Sequence, residues 1–256
     1  MKILVINDDG YKAPGIIALA KALKQLGEVT IVAPQSQKTG TSHSINIHQD
    51  LTVLKTDTDG ILTYAVDSTP RDCAVLAIDK LLKEKPDVLV SGINEGGNLG
   101  DDCIRSGTCG GASVGLDYGI PSIAVSLGFG ESYDYSYAAE IALKATKWFL
   151  KQPDNLEYIL NVNVPNLKKQ DIRGYRVCHL GGGQYYRQEF NESFDGEMYH
   201  YTTRTIEITT RRIDESEESD MQAFSEGYIT FTPLDIDICR HQSLSALKKN
   251  LEGFEL

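Results

Sequence analysis

Two adjacent acids, Asp8 and Asp9, stand directly after a short apolar run at the start of the chain. Two carboxylates at the end of a buried strand repel each other, and a hard divalent cation is the usual relief. Asp-Asp-Gly is also good turn chemistry, so the dipeptide by itself favours a plain turn. Its position after the first strand of an α/β sheet makes the turn and the cation site equally good interpretations.

Other oxygen donors occur in two glycine-containing segments. Asn94 and Asn98 lie in residues 92–98, and Thr39 lies in residues 39–42. As single loop residues they are more often turn stabilisers than ligands. Taken together with the two aspartates, they form an oxygen-only, partly neutral set that suits Mg²⁺, Mn²⁺ or Ca²⁺ and leaves positions for water and substrate.

The tripeptide Ser106-Gly107-Thr108 opens a predicted helix. Its hydroxyls and free backbone N–H groups can bind a phosphate with help from the helix dipole. A simple N-cap explains a lone Ser-Gly-Thr better. An inward-pointing Arg105 would add positive charge, whereas a solvated Arg105 would not.

The elements that must position these residues alternate between strand and helix. Residues 2–7 form a β-prone apolar run, helical spacing follows from Ile16 to Leu26 with Gly27 as the expected C-cap, and a second strand covers residues 28–33. This is a β-α-β unit with a parallel strand pair. Further predicted strands cover residues 51–55, 61–66, 87–91, 121–126, 158–164, 175–180 and 227–232; helices begin at residue 68 and at Ser106 and cover 137–150 and 241–251; a hairpin arm covers 202–213, and 214–220 is an exposed acidic run.

We therefore predict an α/β fold. Residues 1–170 form a doubly wound, mainly parallel core, and residues 171–256 form an antiparallel extension with a C-terminal cap. Ligands of such sheets bind beyond the carboxyl ends of the strands, at the crevice where the strand order reverses. Three polar segments, residues 7–10, 36–42 and 92–108, leave strand ends of this kind, so we expect them to converge in one crevice.

Composition and missing motifs exclude several classes of protein. The 256 residues contain 25 Lys+Arg and 36 Asp+Glu, a net charge of −11, which argues against a nucleic-acid polymer as partner. No signal peptide or apolar run of membrane-spanning length is present, and the five cysteines are odd in number and lack C-x-x-C, so we expect a cytoplasmic protein without a membrane partner.

The motifs of three large enzyme classes are missing from the sequence. These are the P-loop, the G-x-G-x-x-G fingerprint and the G-x-S-x-G elbow. Of the enzyme classes considered, metal-assisted hydrolysis of a phosphate ester is the one that agrees best with the sequence.

The chain resembles the SurE (survival protein E) nucleotidases, which are metal-dependent phosphatases of nucleoside monophosphates. The resemblance lies in a series of short sequence motifs that occur in the same order. The resemblance runs over nearly the whole chain. The matching blocks are ILVINDDG at residues 3–10, APGI at 13–16, VAP at 32–34 leading to Thr39-Gly40, STPRDC at 68–73, PDVLVSGIN at 86–94, SGT at 106–108, PSIAVS at 121–126 and GYITFTPL at 227–234.

The resemblance implies a site, an assembly and a substrate. The chain would form one Rossmann-like domain over residues 1–256 whose C-terminal arm is exchanged in a homodimer or homotetramer. Each subunit would hold one divalent ion, Mg²⁺ or Mn²⁺, and would act on a nucleoside monophosphate. The implied metal ligands are Asp8, Asp9, Thr39 and Asn94, and the residues implied to face the phosphate are Gly40, Asn98, Ser106, Gly107 and Thr108.

The chain departs from the family pattern at several positions. Thr39 stands where the family usually has serine, and it keeps the hydroxyl. Ser68, Arg71 and Arg105 replace the common glycine, alanine and tyrosine, so the rim of the site is expected to differ. Residues 194–205 lack an aromatic, glycine-rich pattern, which bears on base selectivity and on the arm.

The expected mechanism is in-line attack on phosphorus by a water that the metal activates, with Asp9 favoured over Asp8 as proton acceptor. Two alternatives stay open. One is an aspartyl-phosphate intermediate on Asp8, although enzymes of that type resemble a D-x-D pattern. The other is a non-catalytic nucleotide-binding module in which the two acids are only turn residues.

Overall fold

The computed structural model describes residues 1–212, 216, 218–239 and 241–250. The strands are β1 (Lys2–Ile6), β2 (Glu28–Pro34), β3 (Val53–Asp57), β4 (Leu62–Val66), β5 (Val88–Glu95), β6 (Ser122–Leu127), β7 (Ile159–Val164), β8 (Tyr175–Val177), β9 (Gly183–Phe194), β10 (Tyr199–Arg212) and β11 (Ile229–Leu234). The α-helices are α1 (Pro14–Leu23), α2 (Pro70–Leu76), α3 (Asp102–Arg105), α4 (Gly107–Tyr118), α5 (Ser136–Phe149), α6 (Asp220–Ser225) and α7 (Leu244–Asn250). Short π-helical or 3₁₀ turns cover Ala77–Leu81, Lys169–Asp171 and His241–Ser243.

Nine strands form one sheet in the order β3-β4-β2-β1-β5-β6-β7-β11-β8. The six strands from β4 to β7 are parallel neighbours, which confirms the doubly wound, mainly parallel α/β fold. The central strand β1 is apolar from Ile3 to Ile6 because a strand covered by helices on both faces buries every side chain.

The two faces of the sheet carry separate cores. Ile3 and Val5 of β1 pack with helices α1 and α5, whereas Leu4 and Ile6 pack with α2 and α4. Successive side chains of a strand point to opposite faces, so the unbroken apolar run contributes to both cores.

Two consecutive β-α-β connections, β5-α4-β6 and β6-α5-β7, have opposite handedness. The chain moves in the same direction across the sheet from β5 to β6 and from β6 to β7, but α4 covers one face and α5 the other. One of these β-α-β units is therefore left-handed, against the usual rule. As a result, α5 lies on the same face of the sheet as α1. The start of α5 lies beside the end of β5, because the hydroxyl of Tyr135, the residue before α5, donates to Glu95 Oε2 at 3.3 Å.

The C-terminal part divides between an arm and the core. Strands β9 and β10 pair antiparallel as a separate two-stranded sheet, which confirms the predicted hairpin arm. Strands β11 and β8 instead join the main sheet, β11 antiparallel to β7 and β8 parallel to β11. The core sheet thus extends beyond residue 170, and the exchange of the arm between subunits stays a prediction.

Most predicted element boundaries agree with the structure, and the differences have physical reasons. Helix α1 ends at Leu23 and not at Leu26, so Gly27 is not its cap. A Cβ on Gly27 would lie 2.0 Å from the carbonyl oxygen of Met1, which explains why a glycine stands there. The sequence predicts that the acidic run at residues 214–220 is exposed, but Asp220 at its end is fully buried. Residues 213–215, 217 and 251 of the predicted C-terminal segments lie outside the described residues.

The Asp59-Gly60 hairpin is confirmed. Strands β3 and β4 pair antiparallel, and Asp59 and Gly60 have φ angles of 52° and 75°, as a type I′ turn requires. Over the parts of the chain that the structure describes, we find no helix with the length and apolar character needed to cross a membrane.

Candidate active site

The strand order of the sheet reverses between β1 and β5. From β1 the chain proceeds to β2 and β4 on one side, and it then returns to β5 on the other side. Asp8 and Asp9 follow β1, and Asn94 and Glu95 end β5. The backbone N–H of Glu95 donates to Asp9 Oδ2 at 3.3 Å, so the two strand ends meet at this crevice. This is where a doubly wound sheet binds its ligand.

Asp8 is a buried carboxylate with 3 % of its surface exposed. Burial, followed in effect by the charge of Asp9, raises its pKa to about 6, against the lowering effect of Thr108. The Thr108 hydroxyl donates to Asp8 Oδ1 at 2.6 Å. The ionised form of Asp8 is therefore costly in the protein alone, and a nearby positive charge would stabilise it.

Asp9 is partly exposed beside its buried neighbour. Burial raises its pKa most, and the charge of Glu95 adds to this, whereas hydrogen bonds from the Glu95 backbone and the Gln37 side chain lower it. In the parts of the chain that the structure describes, no lysine, arginine or histidine forms an ion pair with Asp8 or Asp9. The crevice holds negative charge that these residues do not balance.

Glu95 is a site residue that the sequence analysis did not single out. The predicted strand ended at residue 91, whereas β5 continues to Glu95 after a register shift between Ser91 and Asn94. The available signal was its place directly after the predicted ligand Asn94 in a glycine-rich segment. The exposed Glu95 side chain brings a third carboxylate to the edge of the crevice.

The loop after β2 crosses over the end of β1. The N–H of Lys38 donates to the carbonyl of Asp8 at 2.6 Å, and the N–H of Ser42 donates to the carbonyl of Arg105 at 3.0 Å. This loop carries the predicted ligand Thr39, which is exposed, and Gly40, whose φ is +73°. A Cβ on Gly40 would meet no atom within 4 Å, so space is open beside this backbone.

The start of helix α4 is built against Asp8. Ser106 is the N-cap, and its hydroxyl accepts from the N–H of Cys109 at 3.1 Å, which is the simple capping role. A Cβ on Gly107 would lie 2.8 Å from Asp8 Cβ and 3.0 Å from Thr41 Oγ1, so only glycine fits without displacement. The Thr108 hydroxyl is engaged by Asp8 in this arrangement.

The two asparagines of the glycine-rich loop have different surroundings. Asn94 is half-buried, and its Nδ2 donates to the carbonyl of Gly96 at 2.8 Å. Asn98 is 6 % exposed, and its Nδ2 donates to Ser126 Oγ at 2.8 Å. Its backbone is held by Asn163, which accepts from the Asn98 N–H at 2.7 Å and donates to its carbonyl at 3.0 Å. Asn163 is thus a supporting residue that the sequence analysis missed.

Two of the residues that depart from the family pattern have specific partners. Arg105 is exposed and pairs with Asp102 at 2.9 Å. Arg71 joins α2 to α4, since it donates to Ser113 Oγ at 2.7 Å and pairs with Asp117 at 2.5 Å. Both arginines have carboxylate partners other than Asp8 and Asp9.

The structure thus brings together the three polar segments, residues 7–10, 36–42 and 92–108, that the sequence predicts to converge. Asp8 contacts Gly107 and Thr108, Asp9 contacts the backbone of Glu95 next to Asn94, and the loop with Thr39 and Gly40 lies against the Asp8 backbone. Asn98 lies further along the same loop, held by the ends of β6 and β7. Spatial convergence at one crevice is therefore observed for the backbone segments.

Comparisons with known proteins agree on one family. Residues 3–187 match the family model described as "Survival protein SurE". The chain is 40% identical to "5'-nucleotidase SurE" of Clostridium beijerinckii, over 98% of this chain and 100% of that protein. It is also 40% identical to the protein of the same name from Aeromonas hydrophila, over 96% and 97%. A solved SurE structure from Aquifex aeolicus superimposes with a TM-score of 0.79 at 34% identity, over 98% of this chain and 99% of that one.

Proposed function

The chain belongs to the SurE family, and from this premise we propose that it is a 5′-nucleotidase, a metal-dependent phosphomonoesterase that converts a nucleoside monophosphate to nucleoside and phosphate. The observation that carries the proposal is the meeting of Asp8, Asp9 and the Glu95 backbone at the reversal point of the sheet. An all-oxygen crevice of this kind suits a hard cation and a phosphate ester together.

The residues at the crevice fit a divalent cation. Asp8 and Asp9 supply two carboxylates whose pKa values burial raises, so each is stabilised by added positive charge. The amide oxygen of Asn94 and the hydroxyl of Thr39 complete the proposed ligand set, which is of the hard, oxygen-only type preferred by Mg²⁺ and Mn²⁺. When bound, the cation lowers the pKa of a water and offsets the charge of the phosphate.

The protein's own groups then have separate tasks. Asp8 is buried and fixed by Thr108, so it acts as an anchor and keeps its orientation through the reaction. Asp9 is partly exposed and its pKa is raised, so it is the carboxylate that can reach solvent and accept a proton from the attacking water. The Glu95 N–H holds the Oδ2 atom of Asp9 in place.

The phosphate is proposed to lie between the loop at Gly40 and the start of α4. Space is open at Gly40, and the positive end of the helix dipole at Ser106, Gly107 and Thr108 favours an anion there. The Thr108 hydroxyl donates to Asp8. We therefore propose that Thr108 influences the phosphate mainly by orienting the Asp8 carboxylate. Asn98, fixed by Asn163 and Ser126, is proposed to contact the remaining phosphate oxygens.

A homodimer or homotetramer is part of the proposal. The β9–β10 hairpin stands apart from the main sheet and exposes large apolar side chains. These are Phe190, Phe194, Met198, Tyr199 and Tyr201. Apolar groups on a protruding arm are stabilised by a second copy of the chain, as in an exchanged arm.

Phosphate release from a panel of 5′- and 3′-nucleotides, with chelator and with added Mn²⁺ or Mg²⁺, tests the function. We expect release from nucleoside monophosphates that chelator abolishes and metal restores. Binding without release would instead identify a non-catalytic module. Acid quenching with labelled substrate tests the mechanism, because direct attack by water leaves no label on the protein, whereas an aspartyl-phosphate would leave it on Asp8.

A further inference from the structure

A second cluster of metal-ligating side chains follows strand β11, in the sequence Asp-Ile-Cys-Arg-His at residues 237–241. One ligand atom each from Asp237, Cys239 and His241 lies within 4.8 Å of the other two. All three side chains are exposed, and their donors are a carboxylate, a thiol and an imidazole. This mixture differs in kind from the oxygen-only set at Asp8 and Asp9.

Hydrogen bonds among Asp237, Cys239 and His241 already orient the three side chains. Asp237 Oδ1 accepts from the N–H of Cys239 at 2.7 Å, and the N–H of His241 donates to the carbonyl of Cys239 at 3.0 Å. Asp237 Oδ2 lies 2.7 Å from His241 Nε2, so carboxylate and ring face each other. Ligands at about 2.0–2.3 Å from a tetrahedral zinc ion lie roughly 3.3–3.8 Å apart, so only small side-chain rotations are needed.

We propose that Asp237, Cys239 and His241 form a binding site for one borderline-soft divalent cation, of which Zn²⁺ is the type, with water as the fourth ligand. Mixed nitrogen, oxygen and sulfur donors select zinc-like ions, whereas Mg²⁺, Mn²⁺ and Ca²⁺ prefer oxygen alone. On binding, the Cys239 thiol gives its proton to solvent and a neutral His241 coordinates. The thiolate and the carboxylate together then balance the two positive charges of the ion.

The position of the cluster indicates what the ion does. The segment connects β11, which belongs to the core sheet, with the 3₁₀ turn His241–Ser243 and helix α7. A cation that joins Asp237 to His241 fixes the direction in which α7 leaves the sheet. The site is thus a structural clamp at the C-terminal end of the chain, chemically separate from the hydrolytic crevice.

Co²⁺ is the probe that distinguishes the two sites, because only thiolate coordination gives a sulfur-to-cobalt charge-transfer band. The full-length protein, kept reduced and in the oligomer it forms, is titrated with Co²⁺ and followed by absorption. We expect a charge-transfer band that saturates at one ion per chain, that Zn²⁺ abolishes and that Mg²⁺ leaves in place. Absence of the band in the wild-type protein would overturn the proposal.

Variants assign the band to its ligands. Cys239→Ser should abolish it, and His241→Ala should weaken Co²⁺ binding by about tenfold or more, since even outer-shell partners of metal ligands contribute that much. The matched control is His200→Ala, because His200 Nε2 forms the same kind of exposed pair with Asp195 Oδ2 at 2.8 Å. A band that persists in Cys239→Ser, or that His200→Ala removes, would contradict the assignment.

Nucleotide hydrolysis by the same variants is a separate readout. All three substitutions lie outside the crevice at Asp8 and Asp9, so phosphate release with Mn²⁺ should stay at the wild-type rate. A failed cobalt titration would therefore leave the nucleotidase proposal intact, and an inactive wild-type enzyme would leave the cobalt site intact.

Discussion

Thr108 Oγ1 donates a hydrogen bond of 2.6 Å to Oδ1 of Asp8, a residue one hundred positions earlier in the chain. Both side chains are buried, Thr108 completely and Asp8 with 3 % exposed. The contact joins the first turn of α4 to the end of β1, and it fixes the carboxylate that is proposed to anchor the metal ion. The hydroxyl that sequence analysis assigned to the phosphate thus acts on the proposed metal ligand.

Replacement of Thr108 by valine tests this contact. Valine keeps the shape and removes the donor, so Asp8 loses a charge-assisted hydrogen bond of about 1.5–3 kcal/mol. We expect kcat/KM to fall by roughly tenfold to a hundredfold, with a higher Mn²⁺ concentration at half-maximal rate. Thr108→Ser keeps the hydroxyl and should retain most of the activity. Equal rates for the valine and serine variants would show that the hydrogen bond does not matter.

Asp8→Asn tests whether the buried charge of Asp8 destabilises the folded protein when no cation is bound. The pKa of Asp8 is raised from 3.8 to about 6, so the folded protein loses stability relative to the unfolded chain as pH rises through this window. In chelator at pH 8 the asparagine variant should therefore be more stable than wild type, by at most about 3 kcal/mol. The difference should shrink as pH falls from about 6 and should vanish below 3.8, the ordinary pKa of the carboxyl. Thermal unfolding measures it, and a variant less stable at pH 8 would contradict the assignment of the cost to the Asp8 charge.

Added Mn²⁺ should reverse the order of the two proteins. The folded wild type binds the ion and gains stability with its concentration, whereas Asp8→Asn gains less because one proposed ligand is neutral. The same thermal unfolding experiment, repeated with Mn²⁺, provides this comparison. Equal metal-induced stabilisation of both proteins would remove Asp8 from the ligand set.

Glu95→Gln tests whether a third carboxylate strengthens metal binding. The charge of Glu95 acts on Asp9, and a negative charge near a cation at the crevice is worth about 1 kcal/mol in a well-solvated setting. We expect the Mn²⁺ concentration at half-maximal rate to rise about fivefold with little change in the maximal rate. Glu84→Gln is the control, since Glu84 pairs with Lys2 at the opposite end of β1. An equal effect of both substitutions would mean that the location of Glu95 is unimportant.

Gly107→Ala tests the close approach of α4 to Asp8. Its Cβ would lie 2.8 Å from Asp8 Cβ and 2.9 Å from Asp8 Oδ2, so the carboxylate or the helix must move. We expect a loss of about fivefold or more in kcat/KM, since overpacking of this kind costs about 1–3 kcal/mol and 1 kcal/mol corresponds to about fivefold. Gly40→Ala has open space but a φ of +73°, and should affect stability more than it affects the contacts of Asp8. Full activity of Gly107→Ala would show that Asp8 tolerates displacement.

The sequence allowed the sheet and its ligand edge to be predicted because these depend on local signals. The apolar run before Asp8 has the length of a strand buried on both faces, and Asp59-Gly60 demands a tight hairpin turn. From the alternation of such strands and helices, the crevice at Asp8, Asp9 and Asn94 follows by topology.

Features that depend on long-range contacts could not be predicted in the same way. Gly27 has the spacing of a helix cap, but its role is set by the carbonyl of Met1. Asp220 belongs to an acidic run, yet it is buried because the N–H groups of Gly100 and Gly181 donate to it at 2.9 and 2.8 Å. The extension of β5 to Glu95 depends on pairing with β6 beyond the register shift.

Phosphate release from a 5′-nucleotide by wild type, Asp8→Asn and Asp9→Asn, each with chelator and with Mn²⁺, tests the central claim most directly. The wild type should release phosphate only with the metal, and each variant should be folded but slower by about a hundredfold or more. Wild-type turnover in both variants with Mn²⁺ present, or full wild-type activity in chelator, would contradict a metal-dependent hydrolase built on these two carboxylates.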